Sequence, residues 1–550
     1  MTRKIPLLEK LDFRKLPLRR NIKMYDTIIV GAGSAGCVLA NRLSADPDRN
    51  VLLLEAGGAQ PINSKVPSDW VTLFNTQVDW SYHTTPQEGC RGRRIFWPRG
   101  KMVGGSSAMN AMIYIRGLPS DYDNWENLNC PGWGWDNVLP DFIASETNAQ
   151  HANSPFHGGH GELHVENPVY SHEYEGKWIG SGVAAGYPAN DDFNGESQEG
   201  FGYFQLTVKE GMRSGTNRAF LEPVMERPNL TLKKGVLITK VLIDGNRCTG
   251  VEYLENGTPH QAHAQAQVIM AAGAIGTPQI LMLSGLGNAT ELAEVGIEVK
   301  CDIPEMGKNL QDHINIPISF YSKKKTGVGA WDAEFLEESF KEWEKHRTGP
   351  RATTWAAAGA HIRSRPDLEP DLQLYGAVSP HRDYGRFLSS EAGMTLHTVL
   401  QRPKGRGDIK LASADPIAHP MIDPKYFSSD PSGEDLATLV EGVKIQRRIA
   451  ATGPLAEVLG AEMQPSIDCQ TDAEIAEYVR GHCTTLYHAA GTCRMGTDAK
   501  AVVNSDTFAV NGIEGLYVAD ASLMPEMVSG NINAVTILFA ERCARALLHN

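Results

Sequence analysis

One stretch near the N-terminus limits the chain to a small set of folds. Tyr25-Asp26-Thr27-Ile28-Ile29-Val30 is a short apolar run of the kind that forms a buried strand. It leads into Gly31-Ala32-Gly33-Ser34-Ala35-Gly36, and from there into residues 37–43, which read as a helix. Asp46-Pro47-Asp48 breaks that helix, and Val51-Leu52-Leu53-Leu54 supplies a second strand ending at Glu55. Strand, helix and strand in that order form a βαβ unit.

The three glycines alone are a weak signal. Gly makes up 54 of 550 residues, so such a triplet arises by chance at roughly 1 in 1,000 positions, or roughly 0.5 times in this chain. The context is what carries the reading, because each part has a physical task. Gly31 permits the tight turn, Gly33 lets the backbone approach a pyrophosphate, and Gly36 lets helix and sheet close-pack. The helix N-terminus, with Ser34 and Ala35, attracts phosphate charge, and Glu55, followed by Ala56, can accept hydrogen bonds from a ribose diol. An adenine dinucleotide is expected here. A carboxylate at Glu55 suits NAD or FAD and disfavours NADP, whose 2′-phosphate it repels.

Residues 97–110, Trp-Pro-Arg-Gly-Lys-Met-Val-Gly-Gly-Ser-Ser-Ala-Met-Asn, are rich in glycine and small polar residues, so their backbone amides can come close to a ligand. The apolar continuation over 111–115 marks the loop as partly buried. Residues 99–117 resemble the first signature of the glucose–methanol–choline (GMC) oxidoreductase family, and residues 273–287 resemble the second. Residues 307–313, 488–496, 518–522 and 529–533 match further family blocks in family order. Together these cover nearly everything from 25 to 545.

The resemblance implies FAD in the dinucleotide fold. It carries over cofactor contacts at Val103, Gly104, Gly105, Ser106, Asn110, Ala111, Met112 and Ile113, at Ile238 for the adenine, at Asp520 and Ala521, and at Ile532 and Asn533. Members that attach flavin covalently in this loop carry His where this chain has Met109, so non-covalent FAD is expected. Val535 stands where relatives often have Pro, a departure to which no function is attached.

His482, Cys483, His488 and Cys493 fit no standard zinc spacing, and no metal site is expected. The resemblance makes His488 the active-site base and Asn531 its partner. Oxidising an alcohol removes a hydride from carbon and a proton from oxygen. Flavin takes the hydride, and imidazole, with an ordinary pKa of about 6.5, suits the proton. Asn531 can hydrogen-bond the alkoxide as it forms. It also precedes an apolar helical pattern over 535–548, whose free N–H groups would favour negative charge on the reduced ring. Asp520 also reads as a helix N-cap. His313 and Asp312 read as structural. Choline-oxidising relatives place a Glu where Asn315 stands, so a quaternary ammonium lacks its counter-charge here.

Length and charge bound the rest. A chain of 550 residues calls for more than one structural unit. A net charge of −13 argues against nucleic acid, and no stretch has the apolar length of a transmembrane segment. Nine cysteines with no CxxC pair argue against a disulfide framework and for a cytoplasmic location. Residues 1–24 hold eight Lys or Arg against two acids and read as a basic tail. A solvated tail, an upstream start ahead of Met24, and a peripheral contact with acidic lipid at the inner membrane face are the three readings.

The expected fold is α/β, a Rossmann-like FAD-binding domain (25–160, 229–315 and 482–550) interleaved with an α+β substrate domain on an antiparallel sheet (161–228 and 316–481). Residues 333–347 read as a charged helix and 401–411 as an alternating strand. The expected activity is FAD-dependent oxidation of a small, uncharged primary alcohol to the aldehyde, with electrons passed to a quinone or redox protein. The rival readings are an O2-using oxidase forming hydrogen peroxide and a flavin-dependent lyase on the same scaffold.

Overall fold

The computed structural model describes residues 24–327, 331–382, 387–388 and 391–549. Of the expected basic tail, residues 1–23 lie outside the described residues, and Met24 opens the first strand.

Seven strands form the first sheet: β1 (Met24–Val30), β2 (Val51–Glu55), β3 (Leu230–Lys234), β4 (Val236–Asp244), β5 (Arg247–Glu255), β6 (Thr258–Met270) and β7 (Leu516–Val518). Their order is β3-β2-β1-β6-β5-β4, with β7 beside the end of β6. The run β3, β2, β1, β6 and β7 is parallel, and β4 and β5 add an antiparallel meander. Ile28, Ile29, Val51, Leu53, Leu54, Val268 and Ile269 are fully buried, as strands covered on both faces require. Three helices matter for the site: α1 (Ser34–Leu43), α2 (Gly273–Leu283) and α3 (Asn533–His549). Helix α1 is tied to α3 by a bidentate pair of Arg42 with Glu541, both contacts at 2.8 Å.

Helix α1 starts at Ser34, inside the glycine motif and three residues before the expected 37. Gly33 is its extended N-cap, and the Cys37 N–H donates to the Gly33 carbonyl at 3.1 Å. The tight entry requires glycine at two points. Gly31 has φ of +102°, and a Cβ on Gly36 would stand 1.8 Å from the Gly31 oxygen.

The second sheet is antiparallel and also has seven strands. Its order is Leu459–Gln464, Ile314–Ser322, Gly393–Leu400, Leu372–Ala377, Ala358–Ile362 and Gly200–Tyr203, with Thr484–Thr485 also on Ile314–Ser322. The chain thus passes repeatedly between the sheets, giving a Rossmann-like domain interleaved with an antiparallel one. The charged helix forms as Ala333–His346. The expected strand over 401–411 shrinks to Asp408–Lys410. Pro403 has no N–H to offer a ladder, and the N–H groups of Lys404 and Gly405 donate to the Asp435 carboxylate at 2.8 and 3.0 Å instead.

Candidate active site

The parallel strands end together. Gly31 N–H donates to Leu54, Ala271 N–H to Val30 and Ala519 N–H to Met270, at 2.8, 2.8 and 2.9 Å, so the loops after β1, β2, β6 and β7 share one edge. That carboxyl edge is where open α/β sheets place ligands. A cavity of about 730 Å³ runs from there toward the second sheet, within the ~300–1,000 Å³ typical of cofactor sites.

At the sheet end its wall includes Gly31, Gly33, Ser34, Ala35, Glu55, Ala56 and Ile238. A Cβ on Gly33 would meet nothing nearer than Gly105 at 3.9 Å, so the bareness of Gly33 serves the cavity and not the packing. Gly33 caps α1 without a side-chain bond, and the first turn holds no acid, so free N–H groups face the space. Gly36 is not in the wall; it closes α1 onto the turn behind it. Glu55 accepts the N–H groups of Ala32 at 2.9 Å and Gly57 at 2.8 Å. Burial pushes its carboxyl up to about 7, against those two hydrogen bonds.

The glycine-rich loop packs on the first turn. Gly104 N–H donates to Ala32 at 2.7 Å and Val103 N–H to Gly58 at 3.0 Å. These two residues brace the wall from behind, while Gly105, Ser106, Asn110, Ala111, Met112 and Ile113 line it. Asn110 accepts from Met112 N–H at 3.1 Å and from the buried Arg213 guanidinium at 2.7 Å. Met112 has φ of +63° there, backbone strain that the surrounding bonds impose. Met109 lines the cavity too.

Asp520 and Ala521 lie in the wall beside the start of α2. Asp520 accepts from Gly273 N–H at 2.9 Å and Thr277 hydroxyl at 2.5 Å, and it also caps the short turn Ala521–Leu523 through Ser522 N–H. Asp520 therefore caps that turn and lines the cavity. Ile532 and Asn533 line the cavity at the start of α3, where Asn533 accepts from the Ser34 hydroxyl at 2.7 Å.

His488 and Asn531 face each other at the opposite end, with Asn531 Nδ2 3.3 Å from His488 Nε2. Tyr487, with φ of +69°, turns the chain so that His488 projects inward, and its N–H donates to the Thr485 hydroxyl at 2.6 Å. The His488 N–H donates to Asp312 at 2.8 Å. Behind His488 stands His313, its Nδ1 at 2.9 Å from His488 Nδ1 and its Nε2 at 3.1 Å from the Gln401 carbonyl.

The backbone carbonyls of Gln401 and Val528 both hydrogen-bond His313, and the Gln401 oxygen meets Nε2. A carbonyl only accepts, so His313 Nε2 carries hydrogen and its Nδ1 is a lone pair. His488 Nδ1 must then donate, which leaves His488 Nε2 as an acceptor toward the Asn531 amide and the cavity. Burial, then the neighbouring His313 and Arg99, hold His488 well below the ordinary imidazole range. Burial takes His313 down to about 4.

Sequence reasoning placed His313 as a structural residue and did not find the rest of this end. Trp70, Phe74, Ala356, Tyr375 and Leu486 supply apolar wall, and Gln373 donates to Asn531 Oδ1 at 3.0 Å. Arg99 lines the cavity with a buried Nη2 that has no partner among the described residues. Arg99 lay inside a quoted motif and was legible as a charge in a buried loop. Residues 356–375 carry no motif. His482, Cys483, His488 and Cys493 do not converge as a ligand set among the described residues.

GMC oxidoreductase family models match residues 25–315 and 403–540. The chain belongs to the GMC oxidoreductase family. It is 41% identical to an alcohol dehydrogenase (acceptor) of Pseudomonas putida, over 96% of each chain. It is 40% identical to the mitochondrial choline dehydrogenase of Mus musculus, over 94% of this chain and 89% of that one. Among solved structures, pyridoxine 4-oxidase from Mesorbium loti superimposes with a TM-score of 0.85 at 29% identity, over 96% of this chain and 99% of the other. This GMC member is an FAD-dependent oxidoreductase acting on CH–OH donors.

Proposed function

We propose that the protein oxidises a small, uncharged primary alcohol to the aldehyde, with His488 as base and Asn531 as alkoxide partner, and passes the electrons to an acceptor other than NAD. The observation that carries this reading is the placement of His488, its Nε2 in the cavity 3.3 Å from the Asn531 amide and its Nδ1 backed by His313, which in turn meets the Gln401 carbonyl.

FAD, held without a covalent bond, supplies the hydride acceptor when bound. Gly31, Gly33, Ser34 and Ala35 would receive its pyrophosphate, Glu55 its ribose and Ile238 its adenine, with Met109 unable to form the histidyl bond of covalently attached relatives. Residues 25–160, 229–315 and 482–550 would form the cofactor side, and 161–228 and 316–481 the substrate side.

His488 Nε2 takes the hydroxyl proton, and the charge that appears on imidazole is shared with His313 through the Nδ1 contact. The Asn531 Nδ2 donates to the oxygen as it becomes an alkoxide. Trp70, Phe74, Ala356, Tyr375 and Leu486 exclude water from the carbinol end. A positively charged substrate finds no free carboxylate in this wall. The carboxylates lining the cavity, Glu55 and Asp520, are engaged by backbone N–H groups, and Asn315 is bonded to His397 at 3.1 Å. The Pseudomonas relative is named for an acceptor that the name leaves unspecified, in keeping with an acceptor other than NAD.

His488→Ala is expected to stay yellow and folded while anaerobic bleaching by an alcohol slows by at least about 100-fold. Stopped-flow absorbance at the flavin band checks this, and an unchanged rate sinks the assignment. Stoichiometric hydrogen peroxide during aerobic turnover would move the reading to an oxidase. Turnover without bleaching would move it to a lyase.

A further inference from the structure

We propose that Gln373 is a positioning residue of the alcohol site, which fixes the direction of the Asn531 amide and offers its own carbonyl oxygen to a second hydroxyl on the substrate. This role rests on the alcohol-oxidising reading above.

An asparagine amide has two ends of similar shape and opposite hydrogen-bonding sense. Only the NH2 end helps an alkoxide; the carbonyl end repels it. The direction at Asn531 is set from both ends, by Gln373 at Oδ1 and by a chain of contacts from the Gln401 carbonyl to His488 at Nδ2. The Gln401 oxygen makes His313 Nε2 a donor, His488 Nδ1 a donor and His488 Nε2 an acceptor. Asn531 must therefore present Nδ2 to His488, and its Oδ1 must accept from elsewhere. Gln373 Nε2 meets that need at 3.0 Å.

Gln373 is well placed to hold this setting. It lies inside strand Leu372–Ala377, in register with His361 on one side and Val399 on the other, so its backbone is clamped by both neighbours. Its side chain is 1% exposed and lines the cavity. With Nε2 committed to Asn531, Oε1 is a buried acceptor with no partner among the described residues. Such an acceptor favours a ligand that brings a donor over one that does not. The ligand class that fits is a primary alcohol with a second hydroxyl close to the carbinol.

The holoenzyme tests this in stopped flow. Gln373→Leu is expected to keep its FAD and to lower the limiting rate of anaerobic bleaching by about tenfold or more, because an unheld amide turns over. In the Asn531→Ala background the same change is expected to cost less than about twofold, since the residue acts through Asn531. An equal loss in both backgrounds overturns the positioning role.

Gln373→Glu gives a second reading. An ionised carboxylate cannot donate to Asn531 Oδ1, and a protonated one can. This variant should be slow at neutral pH and recover as pH falls, while the Leu variant stays slow throughout. A Glu profile parallel to wild type overturns the proposal.

Propane-1,2-diol should exceed propan-1-ol in kcat/KM with wild type, and Gln373→Leu should cut that ratio by about tenfold. An unchanged ratio removes the substrate contact. If no alcohol bleaches the wild-type protein, both the alcohol reading and the role of Gln373 fall. Bleaching with no coupling to Asn531 sinks Gln373 alone.

Discussion

His488 owes its unprotonated state to its surroundings. Its Nδ1 faces a second imidazole, and its burial beside His313 and Arg99 penalises the charged form. The sign follows directly. A base works only while unprotonated, and a lowered pKa keeps it so to lower pH. The acid limb of kcat/KM for an alcohol is therefore expected below the ordinary imidazole value of about 6.5. A pH profile of initial rates checks this, and a limb above that value contradicts the geometry. His488 and Asn531, which the fold brings to one end of the cavity, were both legible in the sequence because each sits in a family block. Gln373 and the tautomer-setting Gln401 carbonyl were not. They are ordinary strand residues whose roles depend on atoms distant in sequence.

At the scale of elements, the glycine motif divides into two tasks that separate by mutation. Gly36→Ala drives a Cβ to 1.8 Å from the Gly31 oxygen, an overpacking expected to cost about 1–3 kcal/mol or more of stability. Gly33→Ala meets no protein atom nearer than 3.9 Å, and its φ of −84° suits any residue. The apoprotein should then melt within about 0.5 kcal/mol of wild type, while FAD affinity falls by about tenfold or more, at 1.4 kcal/mol per decade. Thermal melts of stripped protein and flavin retention on gel filtration check the pair. A Gly33→Ala protein that holds FAD as tightly as wild type would deny the close approach. Strand, glycine turn, helix and strand were readable because periodicity and turn chemistry are local. The start of α1 was misplaced by three residues because small residues over 34–36 carry no apolar signal, although the helical bonds begin there. The 401–411 strand was overcalled for a related reason: alternation was local, while the Asp435 carboxylate that captures its N–H groups comes from 30 residues on.

The cavity takes its walls from both sheets. A ligand that binds only the folded state stabilises it by mass action, by about 2.7 kcal/mol at 100 times its Kd. Stripping FAD is expected to lower Tm, and added FAD to restore it in a concentration-dependent way. Calorimetry that finds no dependence would mean that the cavity does not hold the cofactor. By itself the sequence determined the βαβ entry, the glycine positions, the family blocks and so the chemistry of hydride and proton removal. These depend on short-range geometry that neighbouring residues dictate. The tertiary structure alone decided which nitrogen of His488 faces the cavity, which way Asn531 faces, and which side chains line that end of it. Those are settled by contacts between residues 313, 373, 401, 488 and 531, and the sense of a hydrogen bond depends on the partner that folding brings to it.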